Sequence, residues 1–205
     1  MENFNNVKEK INEMSELTLS MLKTTFDGFM KHDVEILANV LRDEQRLNAM
    51  EKTITLSLIE ISKGKVTNID KKKIMLLTNI VADLEEIGDY AKDMIERIEI
   101  KIQEKLLFSD EALSEYKHLY SVIETGLSDT VSSLKTNDKM FAKRVLTDKE
   151  DIDKLIKKYR DAHTQRLLSG ICDPRAGNMF LNLLDFTGQI FHHTKSISTN
   201  ILKLR

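Results

Sequence analysis

Residues 79–92, Asn-Ile-Val-Ala-Asp-Leu-Glu-Glu-Ile-Gly-Asp-Tyr-Ala-Lys, decide the fold. The helical spacing of their apolar residues and those of the flanking positions predicts a long helix with one buried stripe: Leu77, Val81, Leu84, Ala91 and Met94. The same segment holds four carboxylates within seven residues: Asp83, Glu85, Glu86 and Asp89. Like charges three or four residues apart on a helix repel by ~0.2–0.5 kcal/mol per pair. This helix therefore requires either full solvation of its acidic groups or a cation.

The composition of the whole chain favours helices. Its 205 residues include one proline and seven glycines, fewer turn residues than an all-β or α/β chain usually needs. A chain of this length can bury a core without disulfides or structural metals. We therefore expect an all-α protein.

Charge and cysteine usage exclude several classes of function. The 31 basic and 33 acidic residues give a net charge of −2, which argues against a nucleic-acid partner. The single cysteine, Cys172, is predicted to be structural, and it fits a reducing compartment. The first residues lack the pattern of a signal peptide, and no run of apolar residues is long enough for a membrane span. We therefore expect a cytoplasmic protein.

Six long helices are predicted along the chain. Asp33, Ser109 and Asp173 are the expected N-caps of the second, fourth and sixth helices, and Asn68 or Asp70 that of the third. The approximate bounds of the six helices are 6–31, 34–63, 71–105, 110–136, 138–169 and 174–205.

The two halves of the chain resemble each other. A shift of 105 residues superimposes apolar and polar positions of the second helix on the fifth, and a shift of 103 does so for the third and sixth. The sequence thus predicts two tandem three-helix repeats, residues 1–105 and 106–205, packed as one elongated six-helix bundle about a pseudo-twofold axis.

The segment Leu84-Glu-Glu-Ile-Gly-Asp-Tyr-Ala91 resembles the Leu-Glu-Arg-Ile-Gly-Asp-His-Ala signature of the PhoU family of phosphate-transport regulators. Residues 159–174 and the helix that follows are similar to the PhoU-like C-terminal extension of bacterial sodium/phosphate cotransporters. The resemblance implies a regulator that binds a phosphate transporter or its sensor kinase and has a metal site on each repeat. It leaves open whether the chain forms a homodimer.

Carried over position by position, the resemblance assigns the metal site of the first repeat to Glu85 and Asp89 on the third helix and to Glu44 and Asn48 on the second. Glu44 also lies on the apolar stripe of its own helix, where a carboxylate is costly unless it is paired or bound to a cation. Oxygen ligands suit Mg, Mn, Fe or Ca, and Zn is also left open. Asp83, Glu86 and Asp93 are expected to face away from the pair, on a solvated surface.

The second repeat departs from this pattern. Gly188, His192 and Lys149 stand where the first repeat has Glu85, Asp89 and Glu44, and a family-type site is not expected there. The polar side chains that remain as ligands are Asp153, Asp185, His192 and His193.

Three functions are compatible with the acidic pair. The first is regulation of phosphate uptake through binding, without catalysis. The second is a metal-dependent hydrolase or oxidoreductase that uses the same carboxylates. The third is a helical adaptor without metal, in which Lys92 or a lysine of another helix neutralises Glu85 and Asp89.

Overall fold

The protein is described by a computed structural model that covers residues 3–147 and 151–204. Within these residues all regular structure is helical, which confirms the predicted all-α class. The seven helices are α1 Phe4–Lys31, α2 Val34–Ser62, α3 Asn68–Gln103, α4 Asp110–Thr136, α5 Lys139–Thr147, α6 Ile152–Leu168 and α7 Pro174–Lys203.

Short polar residues begin the helices, as the sequence predicts at three positions. The side chains of Asp33, Ser109 and Asp173 accept hydrogen bonds from main-chain N–H groups in the first turns of α2, α4 and α7. For α3 the prediction is wrong by one residue, because Thr67 is the N-cap and Asp70 completes a reciprocal capping box with it.

The fifth predicted helix consists of two helices, α5 and α6. Asp151 has an extended backbone and its side chain accepts a hydrogen bond from the main-chain N–H of Lys154, which begins a new helix at Ile152. The C-terminal end of α6 is as expected, since Gly170 adopts a positive φ of 70°. Lys149, which the sequence comparison aligns with Glu44, lies outside the described residues.

The helices pack as two groups that share one core. In the first group, α1, α2 and α3 contact one another, and in the second, α4 and α7 pack with α5 and α6. The groups meet where α3 packs along α7 and where α1 packs along α4, so equivalent helices face each other. The main hydrophobic core runs through both groups, and a smaller cluster is formed by Leu106, Ala176 and Met179. The boundary at residues 105 and 106 stays a prediction.

Two contacts between α3 and α7 support the duplication. The ring of Tyr90 lies 6.1 Å from that of Phe186, and Nδ1 of His193 lies 2.9 Å from Oδ1 of Asp83. The shift of 103 residues places Tyr90 on His193 and Asp83 on Phe186. The two contacts are therefore the same pair of positions, related by the pseudo-twofold axis, as in an isologous interface.

Gly88 brings α2 and α3 close together. A Cβ atom at this position would lie 2.2 Å from Cδ2 of Leu47, so a larger residue would force the Leu47 side chain or the helices to shift. This contact places the polar residues of both helices within reach of one another. None of the described helices is both long enough and apolar enough to cross a lipid bilayer.

Candidate metal site

Glu44 is the buried member of the predicted site. It lies on the α2 stripe that also carries Leu37 and Leu47, and the residue is 6% exposed. Because an isolated buried carboxylate is costly, Glu44 requires partners.

The two observed partners of Glu44, Asn48 and Lys92, contact the same carboxylate oxygen. Nδ2 of Asn48 donates a hydrogen bond to Oε1 of Glu44 at 2.9 Å, and Nζ of Lys92 on α3 lies 3.1 Å from that oxygen. The hydrogen bond and the negative charge of Glu44 raise the pKa of Lys92. Lys92 therefore forms its ion pair with Glu44 on α2, while its charge also acts on Asp89 of its own helix.

Glu85 and Asp89 share an environment that disfavours their charged forms. Burial raises the pKa of Glu85, and the charges of Asp89, Glu86, Glu51 and Glu44 raise it further. Burial also raises the pKa of Asp89, followed by the charge of Glu44, while Lys92 opposes this shift. The charge of Glu44 thus acts on both α3 carboxyl groups, and their role as metal ligands stays a prediction.

The chemistry of these side chains fits a hard metal ion. The ligand atoms of the three carboxylates and the one amide are oxygens, which hard cations prefer. Oδ1 of Asn48 is buried without a hydrogen-bond partner. In the observed side-chain positions, however, no three His, Cys, Asp or Glu residues among those described are arranged to hold an ion. A metal bound to Oε1 of Glu44 would have to displace Lys92, whose side chain is 41% exposed.

One member of the cluster, Glu51, was not predicted from the sequence, and the prediction of a solvated Asp83 is wrong. Glu51 contributes to the pKa shift of Glu85, and its position seven residues after Glu44, on the same face of α2, is the signal that could have identified it. Glu86 and Asp93 are exposed, as expected. Asp83 is not solvated, because it pairs with His193 across the two groups of helices.

In the second repeat, the acidic side chains at this place in the fold pair with basic ones. Nε2 of His192 lies 3.2 Å from Oδ1 of Asp153, and Arg160 binds Asp185. At Gly188 a Cβ atom would lie 2.6 Å from Cδ1 of Ile156, so this side chain takes the space beside the glycine. The four side chains that the sequence offers as ligands in the second repeat thus each have an ion-pair or hydrogen-bond partner: Asp153, Asp185, His192 and His193.

Sequence comparison matches this chain to PhoU proteins, over the first repeat and over most of its length. The model of the PhoU domain family matches residues 11–98. The phosphate-specific transport system accessory protein PhoU homolog of Aquifex aeolicus is 24% identical over 169 residues, which cover 82% of this chain and 74% of that protein. PhoU homolog 1 of Thermotoga maritima is 28% identical over 91 residues, which cover 44% of this chain and 38% of that protein.

Solved structures extend the similarity to the complete fold. The crystal structure of PhoU from Pseudomonas aeruginosa superimposes with a TM-score of 0.89 at 20% identity, over 98% of this chain and 95% of that one. PhoU from Streptococcus pneumoniae gives a TM-score of 0.81 at 12% identity, over 98% and 93% of the two chains. These findings show that residues 11–98, which carry the signature on α3, match the PhoU domain family and that the chain has the fold of the PhoU structures.

Proposed function

We propose that the protein is a cytoplasmic accessory regulator of phosphate transport that acts by binding a transporter component or its sensor kinase, without catalysis. The proposal is supported by the relative from Aquifex aeolicus, which is named as an accessory protein of a phosphate-specific transport system and aligns with most of this chain. Exposed charged side chains on all the long helices supply surfaces for a protein partner.

The second part of the proposal is a metal ion held by Glu44, Asn48, Glu85 and Asp89. The proposal is supported by the raised pKa of both α3 carboxyl groups, which follows from burial and from nearby carboxylates that include Glu44. A divalent or trivalent cation would neutralise this cluster and tie α2 to α3. Because such an ion binds only the folded arrangement, it would stabilise that arrangement by mass action.

Elemental analysis and thermal unfolding test the metal site. We expect the purified protein to contain Mg, Mn, Fe, Ca or Zn and to unfold at a lower temperature after treatment with a chelator. The variant Glu85→Ala/Asp89→Ala should lose both the metal and the response to chelator. The matched control is Asp153→Ala/Asp185→Ala in the second repeat, which should keep both.

A co-purification experiment tests the partner. Phosphate transporter subunits and the associated sensor kinase, each co-expressed with the tagged protein, should include at least one that is retained on the affinity resin. If neither class is retained, with and without added metal, the regulatory role is refuted. Light scattering of the same preparation decides between monomer and homodimer, which stays a prediction.

One observation favours a second function, a helical adaptor without metal. Lys92 already places a positive charge against Glu44, at 3.1 Å. If the purified protein contains no metal and the chelator leaves its unfolding unchanged, the adaptor replaces the metal-binding regulator. Retention of a transporter subunit would still support a role in phosphate transport.

A further inference from the structure

A cavity of about 320 Å³ lies between the two groups of helices, at the end of the bundle where α1 begins and α7 ends. Its apolar lining includes side chains from α1, α3, α4 and α7: Phe4, Ile11, Leu77, Leu134 and Ile201. The volume is at the lower end of the ~300–1,000 Å³ typical of pockets for small ligands. The cavity is thus large enough for a compact organic molecule.

Three lysines from three different helices also line this cavity: Lys8, Lys73 and Lys139. Each of them has a neutral partner. Lys8 donates to the side-chain oxygen of Asn137, the Lys73 ammonium lies 4.4 Å from the centre of the Phe4 ring, and Lys139 donates to the main-chain carbonyl of Leu202 at 3.1 Å. The positive charges of Lys8, Lys73 and Lys139 thus lie at the cavity next to neutral groups, and Lys73 also acts electrostatically on Asp70, which does not line the cavity.

The surroundings reinforce the positive charge. None of the described residues that line the cavity is an aspartate or glutamate. An adjoining cavity of about 250 Å³ shares Lys73 with the first and adds Lys72 and Lys203, again without an acidic residue among those described. In a chain with a net charge of −2, this concentration of lysine is a local feature.

We propose that the cavity binds a small amphipathic anion, namely an aliphatic carboxylate whose chain lies on the apolar lining and whose head group lies between Lys8 and Lys73. Burial of the chain supplies the non-directional part of the binding free energy, at ~25 cal/mol per Å² of apolar surface. The ammonium groups select the anion over a neutral molecule of the same shape. Inorganic phosphate alone would leave the apolar surface uncovered, and a nucleic acid is too large for the cavity.

Titration calorimetry with octanoate tests the proposal. Octanoate should bind with a stoichiometry of one per chain, and 1-octanol, acetate and inorganic phosphate should each bind at least ten-fold more weakly. The variant Lys8→Gln/Lys73→Gln should weaken octanoate binding at least ten-fold. The control Lys157→Gln removes an exposed lysine on α6, outside the cavity, and should leave the affinity within two-fold.

Several outcomes would overturn the proposal. One is the absence of octanoate binding to the wild-type protein. Another is equal affinity of wild type and Lys8→Gln/Lys73→Gln, with circular dichroism verifying that the variant is folded. Binding of 1-octanol as tightly as octanoate would remove the role of the lysines, and binding of phosphate as tightly as octanoate would remove that of the apolar lining.

Discussion

The α2/α3 face of the first repeat and the α6/α7 face of the second occupy equivalent places in the fold but differ in how their carboxylates are compensated. On the first face, burial raises the pKa of Glu85 and of Asp89, neighbouring carboxylates raise both further, and Lys92 donates to Glu44. On the second face, His192 pairs with Asp153 and Arg160 with Asp185.

The aligned positions make the difference specific. A shift of 105 residues places Glu51 on Ile156, and a shift of 103 residues places Glu85 on Gly188. In the second repeat, Ile156 and Gly188 are in apolar contact. Ile156 thus stands where the first repeat has a carboxylate close to another carboxylate. The comparison teaches that helices can pack in this arrangement without an acidic cluster, so the packing itself does not require the carboxylates of the first repeat.

The most severe test of this comparison rebuilds the acidic pair in the second repeat. The variant Gly188→Glu/His192→Asp places a side chain into the space of Ile156 and a second carboxylate beside Asp153. We expect a loss of roughly 2–4 kcal/mol in the free energy of unfolding, measured by urea denaturation, from overpacking and burial of charge.

The control for this variant adds a carboxylate at an exposed neighbouring position. Gln189→Glu should change the free energy of unfolding by less than about 0.5 kcal/mol. A rebuilt variant as stable as the wild type would mean that the second face tolerates the acidic pair, and the contrast between the faces would lose its energetic basis.

Lys92→Met tests the ion pair that compensates Glu44. In the presence of chelator, we expect this variant to lose about 1–2 kcal/mol of unfolding free energy, because Glu44 stays buried without its cation. If the metal site exists, the same variant should bind metal more tightly than the wild type, since Lys92 no longer competes for Glu44. Urea denaturation and metal titration provide the two measurements.

Lys195→Met is the matched control, because Lys195 is the counterpart of Lys92 in the second repeat. Its ammonium group lies 4.8 Å from the centre of the Phe191 ring, a contact worth ~0.5–1 kcal/mol at an exposed site. Metal affinity should not change in this control. If Lys92→Met neither destabilises the protein nor alters metal binding, Lys92 is not the internal counter-ion of the cluster.

The smallest expected effect is on the pH dependence of stability. Glu85 and Asp89 have folded-state pKa values above their ordinary 4.5 and 3.8, so their contribution to stability is present below those values and is lost as the pH rises through the raised pKa values. In chelator at pH 7, Glu85→Gln/Asp89→Asn should therefore be about 0.5 kcal/mol more stable than the wild type. At pH 4 the difference should be smaller.

Chemical denaturation at the two pH values measures this effect. The control Asp153→Asn/Asp185→Asn removes carboxylates that have basic partners, so it should not stabilise the protein at pH 7. A Glu85→Gln/Asp89→Asn variant that is less stable than the wild type at pH 7 in chelator would contradict the assignment of repulsion to this pair.

Much of the fold could be predicted because helix signals are local. The spacing of apolar residues and the caps Asp33, Ser109 and Asp173 depend on neighbours within one or two turns. The break at Asp151 was not predicted, because charged residues at 148–151 are compatible with a continuous helix and only the backbone of Asp151 distinguishes a cap from an interior residue.

The site was predictable as a set of acids but not as a set of contacts. The resemblance and the stripe position pointed to Glu44, and the signature pointed to Glu85 and Asp89. Whether Lys92 on α3 reaches Glu44 on α2 depends on the distance between the two helices, which pack closely at Gly88 and Leu47. Such a distance between helices cannot be obtained from the periodicity of either one.

The crossed contacts of Tyr90 with Phe186 and of His193 with Asp83 have a consequence for evolution. A homodimer of identical three-helix chains must place the same side chain on both sides of its axis, so any substitution there occurs twice. Covalent linkage of the repeats removes this constraint. The chain can hold an aromatic pair on one side of the axis and a histidine–carboxylate pair on the other, with the rings of Tyr90 and His193 5.8 Å apart where the two pairs meet.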